Sequence, residues 1–122
     1  MYILSVEKAF DAAHYLRSYR GRCERLHGHR FRVVVRIKAE KLDRKGMAYD
    51  FTLLKKKLAV VLEKYDHRCL NDIEPFSKIN PSSENIAATI YQEIRKSLPG
   101  VVVLDCVEVW ESPEACATYR PA

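Results

Sequence analysis

Residues 27–40 read His27-Gly28-His29-Arg30-Phe31-Arg32-Val33-Val34-Val35-Arg36-Ile37-Lys38-Ala39-Glu40. His27, His29, Phe31, Val33, Val35 and Ile37 share one parity; Arg30, Arg32, Val34, Arg36 and Lys38 share the other. A period of two is the signature of a β-strand, with alternate side chains on opposite faces. The apolar face needs a covering layer. The arginine face must meet water, or a polar lumen formed by assembly.

The flanking segments supply the rest of the fold. Residues 2–14 form a second strand, with Tyr2, Leu4, Val6 and Phe10 alternating with Ser5, Glu7 and Asp11. Residues 15–26 carry several arginines and no period, which predicts a loop, and residues 41–49 a turn. Asp50 suits the N-cap of a helix running to about Asp66, its stripe built from Phe51, Leu54, Leu58, Val61, Leu62 and Tyr65. Residues 68–81, with Pro75 and Pro81, read as a loop. Ser82 or Ser83 caps a second helix whose stripe is Ile86, Ile90, Ile94 and Leu98, and Pro99-Gly100 ends it. Strands follow at 101–111 and 115–120. The order β-β-α-α-β-β predicts an α+β fold: one domain spanning residues 1–122, with a four-stranded antiparallel sheet and both helices on one face.

Composition narrows the function. Of the 122 residues, 48% are hydrophobic and 30% charged, a globular balance. No apolar run approaches the roughly 18 residues of a membrane span. The start, MYILSVEKAF, reads as a strand rather than a secretory leader, so the expected location is cytoplasmic. The net charge of +5 favours anionic partners, either nucleic acid or a phosphorylated small molecule. Arg17, Arg20, Arg22 and Arg25 crowd one loop. Cys23, Cys69, Cys106 and Cys116 form no C-x-x-C pair, and Cys69 and Cys106 sit among apolar neighbours as core residues would.

The segment Cys23-Glu24-Arg25-Leu26-His27-Gly28-His29 carries the most chemistry. On a strand His27 and His29 point the same way, and Gly28 leaves room for close approach. An H-G-H triplet alone is a weak signal, equally compatible with a turn. His14, at the end of the first strand, adds a third imidazole, because paired strands lie about 4.8 Å apart. Three histidines with a free fourth position is the pattern of catalytic zinc. Cys23 is either a fourth ligand, which would make the site structural, or an unbound nucleophile or base. His67 follows Asp66 at a helix end, where the helix dipole alone favours a histidine; the carboxylate would also orient it. Glu111 ends a strand, where it is either merely exposed or placed to accept two donors from a guanidine-like edge.

These residues resemble the 6-pyruvoyltetrahydropterin synthase / 6-carboxytetrahydropterin synthase family. His14, Cys23-x-x-x-His27-Gly28-His29, Asp66-His67, Pro81-Ser82-Ser83-Glu84-Asn85 and Glu111 stand in the family's order, as do Phe10-Asp11-Ala12-Ala13-His14 and Leu70-Asn71-Asp72. The resemblance implies the tunnelling fold, in which sheets join into a trimeric barrel and trimers stack into a hexamer; the arginine face would line the lumen. It implies zinc held by His14, His27 and His29, and Cys23 as general base. It implies Asp66 and His67 as a proton relay from a neighbouring subunit. Glu111 would anchor the pterin, helped by Ser82 and Ser83 and by main-chain groups near Tyr49 and Asp50 of another chain.

Three residues between the cysteine and H-G-H are similar to the bacterial 6-carboxytetrahydropterin synthases of queuosine and deazapurine biosynthesis; the animal-type pyruvoyl synthases have five. The implied substrate is dihydroneopterin triphosphate, its phosphates held by arginines of the 17–25 loop or by a neighbour's lysines. The implied partners are further copies of the chain, in a trimer or hexamer, with neither nucleic acid nor membrane. Other expectations are a pyruvoyl-forming or folate-pathway relative on the same scaffold and, in a different class, a basic nucleic-acid-binding module clipped by zinc. The last would bind in a steeply salt-dependent way, but the chain lacks the aromatic-interleaved basic surface of a single-strand binder.

Overall fold

The computed structural model describes residues 1–21 and 24–122. Strands β1 (Tyr2–His14) and β2 (His27–Ala39) form a long antiparallel pair. Helix α1 (Phe51–Leu62) follows, then a two-residue strand β3 (Arg68–Cys69) and a 3-10 turn over Leu70–Asp72. Helix α2 (Ser83–Ser97) leads into β4 (Val103–Ser112) and β5 (Ala115–Tyr119). The sheet order is β3-β1-β2-β4-β5.

The alternation in β2 is what the sheet obeys. Phe31, Val33, Val35 and Ile37 are buried, joined by Val6 and Phe10 from β1 and Val107 and Val109 from β4. The helices cover this face with Leu54, Leu58, Leu62, Ile86, Ile90 and Ile94. Burial of this kind stabilises by about 1.5–3 kcal/mol per large side chain. Asp50 caps α1, its carboxylate accepting from the Thr52 N–H at 2.8 Å, and Ser82 caps α2 by accepting from the Asn85 N–H at 3.2 Å.

The opposite face carries the arginines, free of helices. They are not bare charge: Arg30 pairs with Asp11 and Arg32 with Glu7, each at 3.1 Å, and Arg36 pairs with Glu108. Arg32 also lies over the Trp110 ring, 4.7 Å from its centroid. The acidic partners come from β1 and β4, so the face is an alternating lattice of charge.

Four expectations need correction. The sheet has five strands, not four, because Arg68–Cys69 adds to β1 in parallel at Ala12 and Ala13 inside the expected 68–81 loop. Two residues are too few to show a period, and their partner lies far off in sequence. The first helix ends at Leu62, short of Asp66; the backbone then tightens, Tyr65 N–H bonding to the Leu62 carbonyl at 3.0 Å. Gly28 relieves no crowding within the chain, since an added Cβ would meet only the Ala12 carbonyl, at 3.8 Å. Among the cysteines, Cys106 is buried as a core residue, whereas Cys69 is only half-buried.

Candidate functional site

The β1–β2 register sets His14 opposite His27 and Ala12 opposite His29. All three histidines therefore lie on the core face, just past the last apolar layer. Phe10 and Phe31 stack at 5.1 Å beneath them, and Phe31 meets the His14 ring edge-on at 5.3 Å. The imidazole centroids stand 4.6 Å (His14–His27), 4.8 Å (His27–His29) and 5.3 Å (His14–His29) apart.

Backbone carbonyls fix two tautomers. His14 Nδ1 lies 2.7 Å from the Pro81 carbonyl and His27 Nδ1 lies 2.6 Å from the Arg25 carbonyl. A carbonyl only accepts, so each Nδ1 carries a proton, the tautomer whose free ring nitrogen is Nε2. Fixing the outer nitrogen in this way is how proteins orient metal-binding histidines. His14 is 2% exposed, and burial, more than the nearby His27, lowers its pKa against the pull of the Pro81 carbonyl. A metal ligand must be neutral, and this environment keeps it so.

Glu111 completes the cluster. It follows Val107 and Val109 at steps of two, on the core face, and sits where the β4–β5 register shifts between Trp110 and Ser112. Bulges commonly re-aim a side chain beside a site. Its Oε1 stands 2.9 Å from His29 Nε2 and 3.5 Å from His14 Nε2. Despite these distances both nitrogens are buried without hydrogen-bond geometry to any partner. The four side chains converge, one ligand atom from each, all within 4.8 Å of one another. Unpartnered buried nitrogens around one point fit a divalent metal of the zinc type.

Asp66 and His67 are assembled elsewhere. The Asp11 N–H donates to Asp66 Oδ1 at 2.9 Å, and the His67 N–H donates to the Asp11 carbonyl at 2.6 Å. Asp66 Oδ2 lies 3.0 Å from His67 Nδ1. The Asp11 N–H, and after it His67, hold the Asp66 carboxyl below the usual aspartate range. His67 adopts φ +60°, a left-handed conformation that turns the chain from α1 into β3. Asp11 has the parity opposite to Phe10 and Ala12, so this pair flanks the helix-free face. An open depression of about 570 Å³ there is lined by Asp11, Ala13, Gly28, Arg30, His67 and Cys69.

The remaining expected residues divide. Ser82 uses its hydroxyl as the α2 cap, whereas the Ser83 hydroxyl is buried without a partner, as is that of Tyr49. Cys23 and Arg22 lie outside the described residues. Arg17 is not free for phosphate: its guanidinium donates to the carbonyls of Phe76 (2.8 Å), Ile79 (3.2 Å) and Asn71 (3.4 Å), pinning the loop before α2. The sequence reading missed the carbonyls of Arg25 and Pro81, which no side-chain pattern announces. It also left Glu111 apart from the histidines, although its parity with Val107 and Val109 was a usable signal.

Comparison with known proteins supplies the context. The family described as 6-pyruvoyl tetrahydropterin synthase matches residues 3–122. The "Dihydroneopterin monophosphate aldolase" of Pyrococcus furiosus is 42% identical over 106 residues, covering 87% of this chain and 86% of that protein. The "6-carboxy-5,6,7,8-tetrahydropterin synthase" of Synechocystis sp. is 38% identical over 124 residues, covering 98% and 93%. Among solved structures, the 6-pyruvoyl tetrahydropterin synthase of Caenorhabditis elegans superposes with a TM-score of 0.85 at 31% identity, covering 100% of this chain and 98% of that one. Among the described residues, no helix is long and apolar enough to cross a membrane.

Proposed function

This chain belongs to the 6-pyruvoyl tetrahydropterin synthase family, and from that premise we propose that it is a zinc-dependent lyase that converts 7,8-dihydroneopterin triphosphate and one water to 6-carboxy-5,6,7,8-tetrahydropterin, acetaldehyde and triphosphate, in the route to queuosine and related deazapurines. The observation that carries the proposal is the convergence of His14, His27 and His29, with carbonyl-fixed tautomers in two of them, on one point. The Synechocystis relative bears the name of this activity, and the three-residue spacing from Cys23 to His27 agrees with it.

His14, His27 and His29 would hold zinc, which when bound polarises the hydroxyls of the substrate side chain as a Lewis acid. Cys23 takes a proton as its thiolate, a form favoured by the arginines around it in sequence. His67, oriented by Asp66, serves the opposite proton transfers. Because that pair flanks the other face of β1, it acts on a site of an adjoining copy in a trimer or hexamer. Glu111 accepts from the amino group and ring N–H of the pterin, and the unpartnered Ser83 hydroxyl, with Ser82 beside it, contributes to the same pocket.

A second reading has an observation of its own. The Pyrococcus relative is named as an aldolase acting on dihydroneopterin monophosphate, so cleavage of a pterin side chain without triphosphate loss fits the same scaffold. Incubating the zinc-loaded protein with the triphosphate and, separately, the monophosphate, with mass analysis of the products, decides between them. 6-Carboxytetrahydropterin and acetaldehyde from the triphosphate support the first reading. Turnover of the monophosphate alone overturns it in favour of the second.

A further inference from the structure

We propose that Asn71 and Asn80 are positioning residues of the metal centre: their side-chain amides continue the pairing of β1 beyond its last residue, and so hold the Pro81 carbonyl against His14 Nδ1. The inference rests on the metal-centre part of the reading above.

Along a strand, the backbone groups of alternate residues point to the same edge. On the edge of β1 that faces β3, the Asp11 N–H donates to Asp66 Oδ1 at 2.9 Å, and the Asp11 carbonyl accepts from the His67 N–H at 2.6 Å. Ala13 pairs with Cys69 of β3. Strand β1 ends at His14 and β3 at Cys69, yet the series runs on. The Tyr15 N–H donates to Asn71 Oδ1 at 3.0 Å, and the Tyr15 carbonyl accepts from Asn71 Nδ2 at 2.9 Å. The Arg17 N–H donates to Asn80 Oδ1 at 2.8 Å, and the Arg17 carbonyl accepts from Asn80 Nδ2 at 3.0 Å. An N–H only donates and a carbonyl only accepts, so the orientation of both amides is fixed. Each amide does what the facing residue of an antiparallel strand does, exchanging both bonds with one residue. The run stops at Ser18, whose φ of +62° turns the chain away.

This clamp bears on the metal centre through Pro81. Pro81 follows Asn80 directly, and its carbonyl lies 2.7 Å from Nδ1 of His14, 67 residues away in sequence. Asn80 is held from the other side too: Asn85 Nδ2, in the first turn of α2, donates to the Asn80 carbonyl at 2.8 Å. The Arg17 guanidinium joins the two asparagines' segments by donating to the carbonyls of Asn71 and Ile79. Asn71 is 4% exposed, a buried amide with both of its polar groups used. His14 aims Nε2 at the site only while Nδ1 is held, so a displaced Pro81 carbonyl turns the ring. Partners of this kind orient the ligand and tune metal affinity.

Cobalt(II) reports ligand geometry through its visible absorption. In the full chain, Asn80→Ala and Asn71→Ala should each weaken cobalt binding by about tenfold and shift the absorption bands. Tyr91→Phe is the control, since it loses a bond to the Leu104 carbonyl (3.1 Å) at the other end of the sheet. It should lower the melting temperature and leave cobalt affinity and spectrum unchanged. Asn80→Asp keeps the acceptor for the Arg17 N–H and loses the donor. It should move both readouts in the same direction, and it decides the matter where an alanine variant does not fold. Wild-type affinity and spectrum in a folded Asn80 variant would overturn the inference, leaving Pro81 to the α2 cap alone. An equal loss of cobalt in Tyr91→Phe would overturn it as well, by reducing the effect to stability. His14→Ala separates the layers: if it loses cobalt while the Asn80 variants are silent, only the clamp is refuted. If it binds cobalt as wild type does, the histidine site fails and this inference with it.

Discussion

Two clusters of titratable groups flank β1, and they differ in what they leave unsatisfied. On the core face, His14, His27, His29 and Glu111 bring ligand atoms within 4.8 Å of one another, and the Pro81 and Arg25 carbonyls accept from Nδ1 of His14 and His27. On the helix-free face, Asp11, Asp66 and His67 lie equally close to one another, but there backbone N–H groups feed the acceptors: the Asp11 N–H goes to Asp66. His67 is 76% exposed. Proximity of ligand atoms alone does not make a metal site. The buried, unpartnered nitrogens of the first cluster fit a metal, whereas in the second a carboxylate that already accepts from the Asp11 N–H stands beside an exposed imidazole.

The largest effects should come from Glu111 of the first cluster and from Cys23. Glu111→Gln, measured on zinc-loaded protein, should weaken pterin binding by about 2–4 kcal/mol, the scale of breaking a hydrogen-bonded charge pair at an interface. Calorimetric titration showing unchanged affinity would reduce this carboxylate to a bystander of the ring. Cys23→Ala should keep zinc content and assembly close to wild type and lose turnover by about a hundredfold or more. Zinc-depleted, unstable protein would instead make Cys23 a structural ligand.

The relation between the clusters is open to a mixing experiment. His67→Ala and Cys23→Ala should each be nearly inactive. If the Asp66–His67 pair serves a neighbour's site, refolding the two variants together should restore roughly a quarter of wild-type activity, by random assortment of chains in a symmetric oligomer. No recovery would put all the groups in one chain's site, or in none.

The smallest effect concerns stability. Asp66 has a folded pKa below its unfolded value, so its contribution is present above the ordinary aspartate range and lost as pH falls through the lowered value. The group is exposed, so thermal melts should show Asp66→Asn slightly less stable than wild type near neutral pH, the gap closing in acid. A gap that widens in acid would contradict the assigned sign.

How much of this was legible in the sequence depends on the range over which each feature is determined. The β2 alternation, the Asp50 and Ser82 caps and the helix stripes are local patterns, and the chain obeys them except at Phe51, which opens the first stripe but is 52% exposed. The convergence of His14 with His27 and His29 followed because neighbouring strands have a known spacing. Strand β3 was hidden because a two-residue pairing has no period and its partner lies more than fifty residues away. The charge balance of the arginine face was hidden for a related reason: Glu7, Asp11 and Glu108 sit on other strands, and only the register brings them to Arg32, Arg30 and Arg36. Arg17 looked like a phosphate ligand among its basic neighbours, but three backbone carbonyls use its guanidinium.

Zinc per chain, measured side by side in wild type, His14→Ala and Asp66→Asn, tests most directly the claim that the histidine cluster alone is the metal centre. The expected values are about one, about zero and about one, since a catalytic zinc with three histidine ligands does not survive loss of the buried one. Zinc that persists in His14→Ala, or that disappears with Asp66→Asn, would contradict it.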